Sequence, residues 1–277
     1  MLKTFDIIFG RKKKSTIFAV RAAAHHKSYK KYDTMRKILH PLYILYQFVF
    51  AIWAGILLTM LAAFIIWLFG GVLKIKNADY YPAVVWCRLM CYIFLLPVTI
   101  VNRDKYVEKD KNYVFVANHQ GMFDIFILYG YIVKNFKWMM KKQLRKVPML
   151  GIACEKTDHV FVDRTTPQKD ILRKSLNILK SGKSMTIFAE GTRSDNGKLG
   201  RFKKGAFVVA NMSQKPIIPI AIQGAYDILP KGSFFAHWSP VTVTFHAPIE
   251  CKGRDSENVE YLMSETRAVI AKTLGEE

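Results

Sequence analysis

The chain has 277 residues, 42 Lys and Arg against 21 Asp and Glu, and a formal net charge of +21, yet 51 % of its residues are hydrophobic. That length suits one large α/β domain with an appendage, and the charge points to polyanionic partners: nucleic acid, acidic lipid headgroups or acidic protein. Four cysteines without ligand spacing exclude a disulfide framework or a metal knuckle, so reduced thiols on the cytoplasmic side and no bound metal are expected.

Residues 1–40 are basic. Arg11, Lys12, Lys13, Lys14, Arg21, Lys27, Lys30, Lys31, Arg36 and Lys37 face only Asp6 and Asp33. The 28 residues from Leu42 to Phe69 then carry no charge. As a helix they would be about 42 Å long, against a hydrocarbon core of about 30 Å, which makes this a membrane element instead of a buried core helix. A secretory signal is disfavoured by the long basic lead and the missing small-residue cleavage site, and the positive-inside rule keeps the basic end cytoplasmic. With a membrane element beside it, the basic cluster reads as a contact for anionic lipid and not for nucleic acid.

A second apolar stretch, Ala83 to Leu96, is interrupted by Arg88 and closed by Pro97. It predicts a short returning or interfacial helix, so that 41–97 form a membrane-embedded two-helix module and 98–277 lie at the cytoplasmic face. Beyond Val98, β-rich runs near 98–101, 113–117, 137–140, 159–162, 185–189, 216–223 and 241–247 alternate with helical patterns near 122–133, 167–181, 204–213 and 256–274. This alternation predicts an α/β domain, a mostly parallel central sheet flanked by helices.

Polar motifs close several of these strands. In "NHQGMFD", 118 to 124, five residues of continuous helix would turn through about 500° and leave His119 and Asp124 about 140° apart. They meet only if His119 sits in the turn after the strand and Asp124 in the first helical turn, with Gly121 letting the chain fold back. The carboxylate, kept ionised by the helix N-terminus, then takes the Nδ1 proton and leaves Nε2 as a base. A hydrogen-bonded turn histidine beside a helix-starting acid is the plainer reading of the pair alone.

"FAEGTRS", 188 to 194, brings Glu190, Gly191, Thr192 and Arg193 to the end of another strand, where open α/β sheets hold ligands. Gly191 permits close approach to an anion, Arg193 matches phosphate oxygens, and Glu190 can pair with Arg193 or orient a hydroxyl. "FVDRTT", 161 to 166, adds Arg164, which an ion pair with Asp163 would otherwise explain. "MKKQLRKVPMLG", 140 to 151, adds Lys141, and Lys203 and Lys204 open a later helix. "SGKS", 181 to 184, fails as a phosphate loop, because position 177 is Asn and a strand follows it. No G-x-S-x-G elbow exists.

These motifs resemble, in order and rough spacing over about residues 80 to 250, those of the glycerolipid acyltransferases of the 1-acyl-glycerol-3-phosphate type. "NHQGMFD" is similar to the first motif, "FVDRTT" to the second, "FAEGTRS" to the third and "IIPIAIQG", 217 to 224, to the proline-containing fourth. Gly121 stands where that family often has serine. The resemblance implies acyl transfer from a thioester of coenzyme A or acyl carrier protein to a lysophospholipid hydroxyl, with no further cofactor. His119 and Asp124 would be catalytic, Lys141, Arg164, Glu190, Gly191, Thr192 and Arg193 would hold the acceptor, and Pro219 would belong to the fourth motif, whose contribution is structural or at the acyl-donor side. An acyltransferase for another lysolipid, such as a lyso-aminolipid, shares the chemistry, and an idle membrane lipid-binding protein is the reading from a different class.

Overall fold

The computed structural model describes residues 38–75, 80–147, 151, 154–155, 157–163, 167–230 and 232–276. The expectations for the basic segment before Ile38 and for Arg164 lie outside them. Two compact units divide the chain, Met1–Leu45 and Tyr46–Glu277. Of the first, the described residues are helical.

The second opens on a π-helical turn (Gln47–Ala51), α1 (Ile52–Ile65) and a further π-helical stretch (Ile66–Val72). Counted from Ile38 to Val72, this helix has 35 residues and is long and apolar enough to cross a membrane by length and composition. α2 (Tyr81–Ile93) starts on a proline in its first turn and ends just before Pro97. It returns antiparallel to α1: the Tyr46 hydroxyl donates to the Ile93 carbonyl at 2.8 Å, and Trp86 Nε1 donates to Thr59 Oγ1 at 3.1 Å. Gly55 faces Met90, whose Cε would lie 3.3 Å from an added Cβ. α2 also packs on α4 (Phe123–Tyr131), with Trp86 edge-on to Phe126, Phe94 edge-on to Phe123, and Arg88 Nε donating to the Gly130 carbonyl at 2.7 Å.

Seven strands form one sheet: β1 (Val98–Val101), β2 (Val114–Ala117), β3 (Phe136–Lys141), β4 (Val160–Val162), β5 (Ser184–Phe188), β6 (Ile217–Gln223) and β7 (Val241–Phe245). A single turn of helix, α3 (Arg103–Tyr106), follows β1; α5 (Gln168–Lys180), α6 (Gly205–Ser213), the short α7 (Ala225–Ile228) and α8 (Ser256–Leu274) complete the domain. The order is β1-β7-β6-β2-β5-β3-β4, parallel throughout except for the antiparallel pair β6 and β7. The expected mostly parallel sheet is therefore present, and α8 has the predicted bounds because Asp255 caps its start, accepting from the Asn258 N–H, and Gly275 ends it in the left-handed region.

All four residues of β2 are buried, as a central parallel strand covered on both faces requires. Phe115 and Ala117 face α2 and α4 together with Ile218, Ile220 and Ile222 of β6. Val114 and Val116 face the opposite layer with Met185, Phe207, Val209 and Leu262. β2, β5, β3 and β4 run the same way, so their C-terminal ends form one edge of the sheet, and the polar motifs sit there.

Candidate active site

Where β2 ends, a side chain continues the ladder. The Asn118 carboxamide donates to the Ile222 carbonyl at 2.9 Å and accepts from the Ile222 N–H at 2.8 Å, filling one more rung beside β6 while the main chain turns away. Asp124, fully buried in the first turn of α4, gathers that turn onto one oxygen. Its Oδ2 accepts from the Gln120 N–H at 2.6 Å, the Gly121 N–H at 2.9 Å and His119 Nδ1 at 2.8 Å. A carboxylate oxygen has no proton to donate, so the imidazole proton lies on Nδ1 and Nε2 presents its lone pair. The turn-plus-helix geometry expected of His119 and Asp124 is present.

Gly121 serves a different purpose from the expected one. Its φ is not positive; instead, an added Cβ would stand 2.8 Å from the Ala225 carbonyl oxygen, so the position is small because α7 passes over it. The His119 ring also lies flat on Phe188, centroids 3.8 Å apart and planes 8° apart, and Trp138 stacks behind Phe188 at 5.2 Å and 22°. Trp138 is anchored in turn by its backbone N–H, which donates to His159 Nδ1 at 3.0 Å. Burial, followed by the charges of Lys137 and Lys183, lowers the His159 pKa to about 3, so this imidazole is a neutral acceptor.

Glu190 is a brace. Its Oε1 accepts from the His119 N–H at 2.9 Å and its Oε2 from the Gly200 N–H at 2.8 Å. The Ser194 N–H donates to the His119 carbonyl at 2.8 Å, so the third motif grips the main chain of His119 at both ends. Both carboxylate oxygens are engaged by backbone, and among the described residues Glu190 pairs with neither Arg193 nor a hydroxyl. Burial raises its pKa, while the two backbone hydrogen bonds act in the opposite sense.

Gly191 has φ +71°, and an added Cβ would lie 2.9 Å from Lys203 Nζ, which brings that ammonium over the loop. Gly191 and Thr192 are exposed and Arg193 is half-buried, with no ion pair to its guanidinium among the described residues. Lys141, exposed, ends β3 beside Val162 of β4. Lys204 points away and pairs with Glu260. Asp163 pairs with Lys142 at 2.9 Å. A cavity of about 680 Å³ beside β4 is lined by Lys142, Arg145, Lys174 and Lys183, but Asp163, Glu155 and Asp158 already match three of these cations. Pro219 lies inside β6 opposite Val116, so the fourth motif is the strand against which β2 is registered.

Sequence reasoning missed Phe188, Trp138, His159 and Asn118 as parts of the site. Phe188 and Asn118 stand inside or next to the motifs, and an aromatic immediately before an acid at a strand end was the available signal for the first.

A buried carboxylate thus aims an imidazole at the rim of a parallel sheet, with arginine and lysine on neighbouring strand ends, an arrangement chemically able to take a proton beside an anionic ligand. Residues 98–223, from the first residue of β1 to the last of β6, match the family model described as Acyltransferase. It is 32 % identical over 202 residues to a chloroplastic 1-acyl-sn-glycerol-3-phosphate acyltransferase of Arabidopsis thaliana, covering 72 % of this chain and 55 % of that protein. With the 1-acyl-sn-glycerol-3-phosphate acyltransferase of Saccharomyces cerevisiae it shares 29 % identity over 203 residues, 69 % of this chain and 66 % of that one. The crystal structure of the 1-acyl-sn-glycerophosphate (LPA) acyltransferase PlsC from Thermotoga maritima is similar with a TM-score of 0.72 and 27 % identity, over 87 % of this chain and 97 % of that one. The chain spans about half the length of the chloroplastic relatives it matches.

Proposed function

We propose that this protein transfers an acyl group from an acyl thioester to the free hydroxyl of 1-acyl-glycerol-3-phosphate, forming phosphatidic acid. The observation that carries the reading is the His119–Asp124 pair at 2.8 Å, with Nε2 unclaimed among the described residues at a strand-end rim that also bears Arg193. His119 Nε2 takes the proton of the acceptor hydroxyl as its oxygen attacks the thioester carbonyl, and Asp124 stabilises the imidazolium that forms. The tetrahedral adduct then expels the thiolate, which receives the proton from the imidazolium. Base catalysis supplies about 10²- to 10⁴-fold, and alignment of the two substrates supplies much of the rest.

Arg193, Lys141 and Lys203, with Arg164 of the second motif, are assigned to the phosphate of the acceptor. Gly191 and Thr192 form the loop on which it rests, and Glu190 acts from beneath by holding the His119 backbone. The donor is an acyl thioester of coenzyme A or of acyl carrier protein. The apolar helix supports a membrane location, and we place the catalytic domain on the cytoplasmic face, where a basic surface meets anionic lipid. The test is a panel of lysolipid acceptors crossed with both donors, using purified protein in detergent or vesicles. Turnover of lysophosphatidic acid that His119→Ala removes supports the reading; turnover confined to another acceptor, or unaffected by that change, overturns it.

A further inference from the structure

Among the described residues, Phe234 is the most exposed large hydrophobic side chain, at 94 %. It stands on the loop between α7 and β7, in the stretch Ser233, Phe234, Phe235, Ala236, His237, Trp238. An aromatic that is nearly all in water needs a reason, and the loop around it is not loose. Gln47, 1 % exposed although it belongs to the uncharged apolar run, fastens the loop with its whole carboxamide: Nε2 donates to the Ala236 carbonyl at 2.7 Å and Oε1 accepts from the Ala236 N–H at 2.8 Å. Two opposed bonds to one residue fix both the position and the direction of the strand they hold.

The clasp sets a level. Tyr46, the neighbour of Gln47, holds the Ile93 carbonyl, so the end of α2 and the aromatic loop meet the apolar helix at the same turn. Tyr92 and Leu95, 62 % and 53 % exposed, flank Ile93. Phe234, Tyr92 and Leu95 are thus exposed apolar side chains within two residues of the points that Gln47 and Tyr46 hold, and aromatic side chains gather at membrane interfaces. The same loop reaches the catalytic turn, because α7 packs on Gly121 through the Ala225 carbonyl and the His237 N–H donates to the Ile228 carbonyl.

We infer that the loop from Gly232 to Ser239 is an interfacial wedge: it seats Phe234 in the headgroup–acyl boundary of the bilayer beside the His119 turn, and Gln47 sets its depth. The partner is the lipid surface itself. This rests on the membrane reading given above, but its test needs no turnover. In full-length protein carrying Cys154→Ser and Cys251→Ser, an environment-sensitive fluorophore is attached at Phe234→Cys and, as a control on the far side of the sheet, at Lys180→Cys. On vesicles of phosphatidylcholine and phosphatidic acid, the label at 234 should shift to the blue. Nitroxide lipids labelled near the acyl carbonyl should quench it several-fold more than those labelled near the terminal methyl, and the label at 180 should respond to neither. Adding Gln47→Leu, which removes both bonds, should abolish that difference in depth. A label at 234 that behaves like the one at 180, or that is quenched best from the bilayer centre, overturns the wedge. Unchanged depth in the Gln47→Leu protein overturns the clasp. Loss of acyl transfer with normal quenching would count against the proposed reaction and leave the wedge standing.

Discussion

The turn that holds His119 and the rim that carries Arg193 and Lys141 occupy the same edge of the sheet and are built in opposite ways. The imidazole is held from several sides: Asp124 takes Nδ1, Glu190 takes the backbone N–H, Ser194 supplies the carbonyl's donor, and Phe188 fixes the ring plane. The cations of the rim are exposed or half-buried side chains without partners of that kind. A base must be aligned to a fraction of an ångström, whereas a phosphate is held by charge that tolerates movement. Damage to the first region should therefore appear in kcat, and damage to the second in KM.

His119→Ala should lower kcat most, on the order of 10³-fold, with the circular dichroism spectrum unchanged. Residual turnover near the wild-type rate would remove the histidine from the chemistry. Asp124→Asn keeps the shape and removes the charge that stabilises the imidazolium, so about a 10²-fold loss in kcat is expected, with KM for the acceptor little altered. A change in KM alone would erase the distinction between the two regions. Arg193→Ala should raise KM for lysophosphatidic acid about tenfold at nearly constant kcat, read from initial rates over a range of acceptor concentrations. Phe188→Leu sharpens the comparison from the other side: it spares every hydrogen bond of the dyad and frees only the ring plane, so a fall in kcat of about tenfold without a KM effect is expected.

The smallest effect concerns the support behind that stack. His159 accepts the Trp138 backbone N–H through Nδ1 and has its pKa lowered to about 3. A histidine held neutral in the folded state contributes stability that is complete above its unfolded pKa of about 6.5 and is lost as pH falls toward the folded value. Between pH 7 and pH 5 the wild type should lose about 1–2 kcal/mol from this source. His159→Asn, whose oxygen can accept the same bond but takes no proton, should lose correspondingly less, as urea midpoints at the two pH values would record.

Much of the architecture follows local rules and is readable for that reason. Alternation of apolar runs identified all seven strands, and the Asp255 cap and terminal glycine bound α8 to the residue. The dyad was legible because only five residues separate its members, and a helical turn constrains what five residues can do. What escaped lies in pairs far apart in the chain: Glu190 with the His119 N–H, 71 residues away; Asn118 with Ile222, 104 away; Gln47 with Ala236, 189 away. No periodicity reports such pairs. Glu190 was accordingly read as a partner for Arg193 or for a hydroxyl, when its surroundings offer two backbone N–H groups. Gly121 was read as a hinge because a carbonyl arriving from residue 225 leaves no trace near position 121.

That carbonyl makes the catalytic turn a two-piece construction. A serine grafted at position 121 would bring its Cβ to 2.8 Å from the Ala225 oxygen, so the commoner residue can enter only if the segment that follows β6 retreats with it. The motif around the histidine is thus not an interchangeable cassette: its glycine and the downstream crossing are two halves of one fitted joint, and swapping either alone should jam the turn on which the imidazole rides.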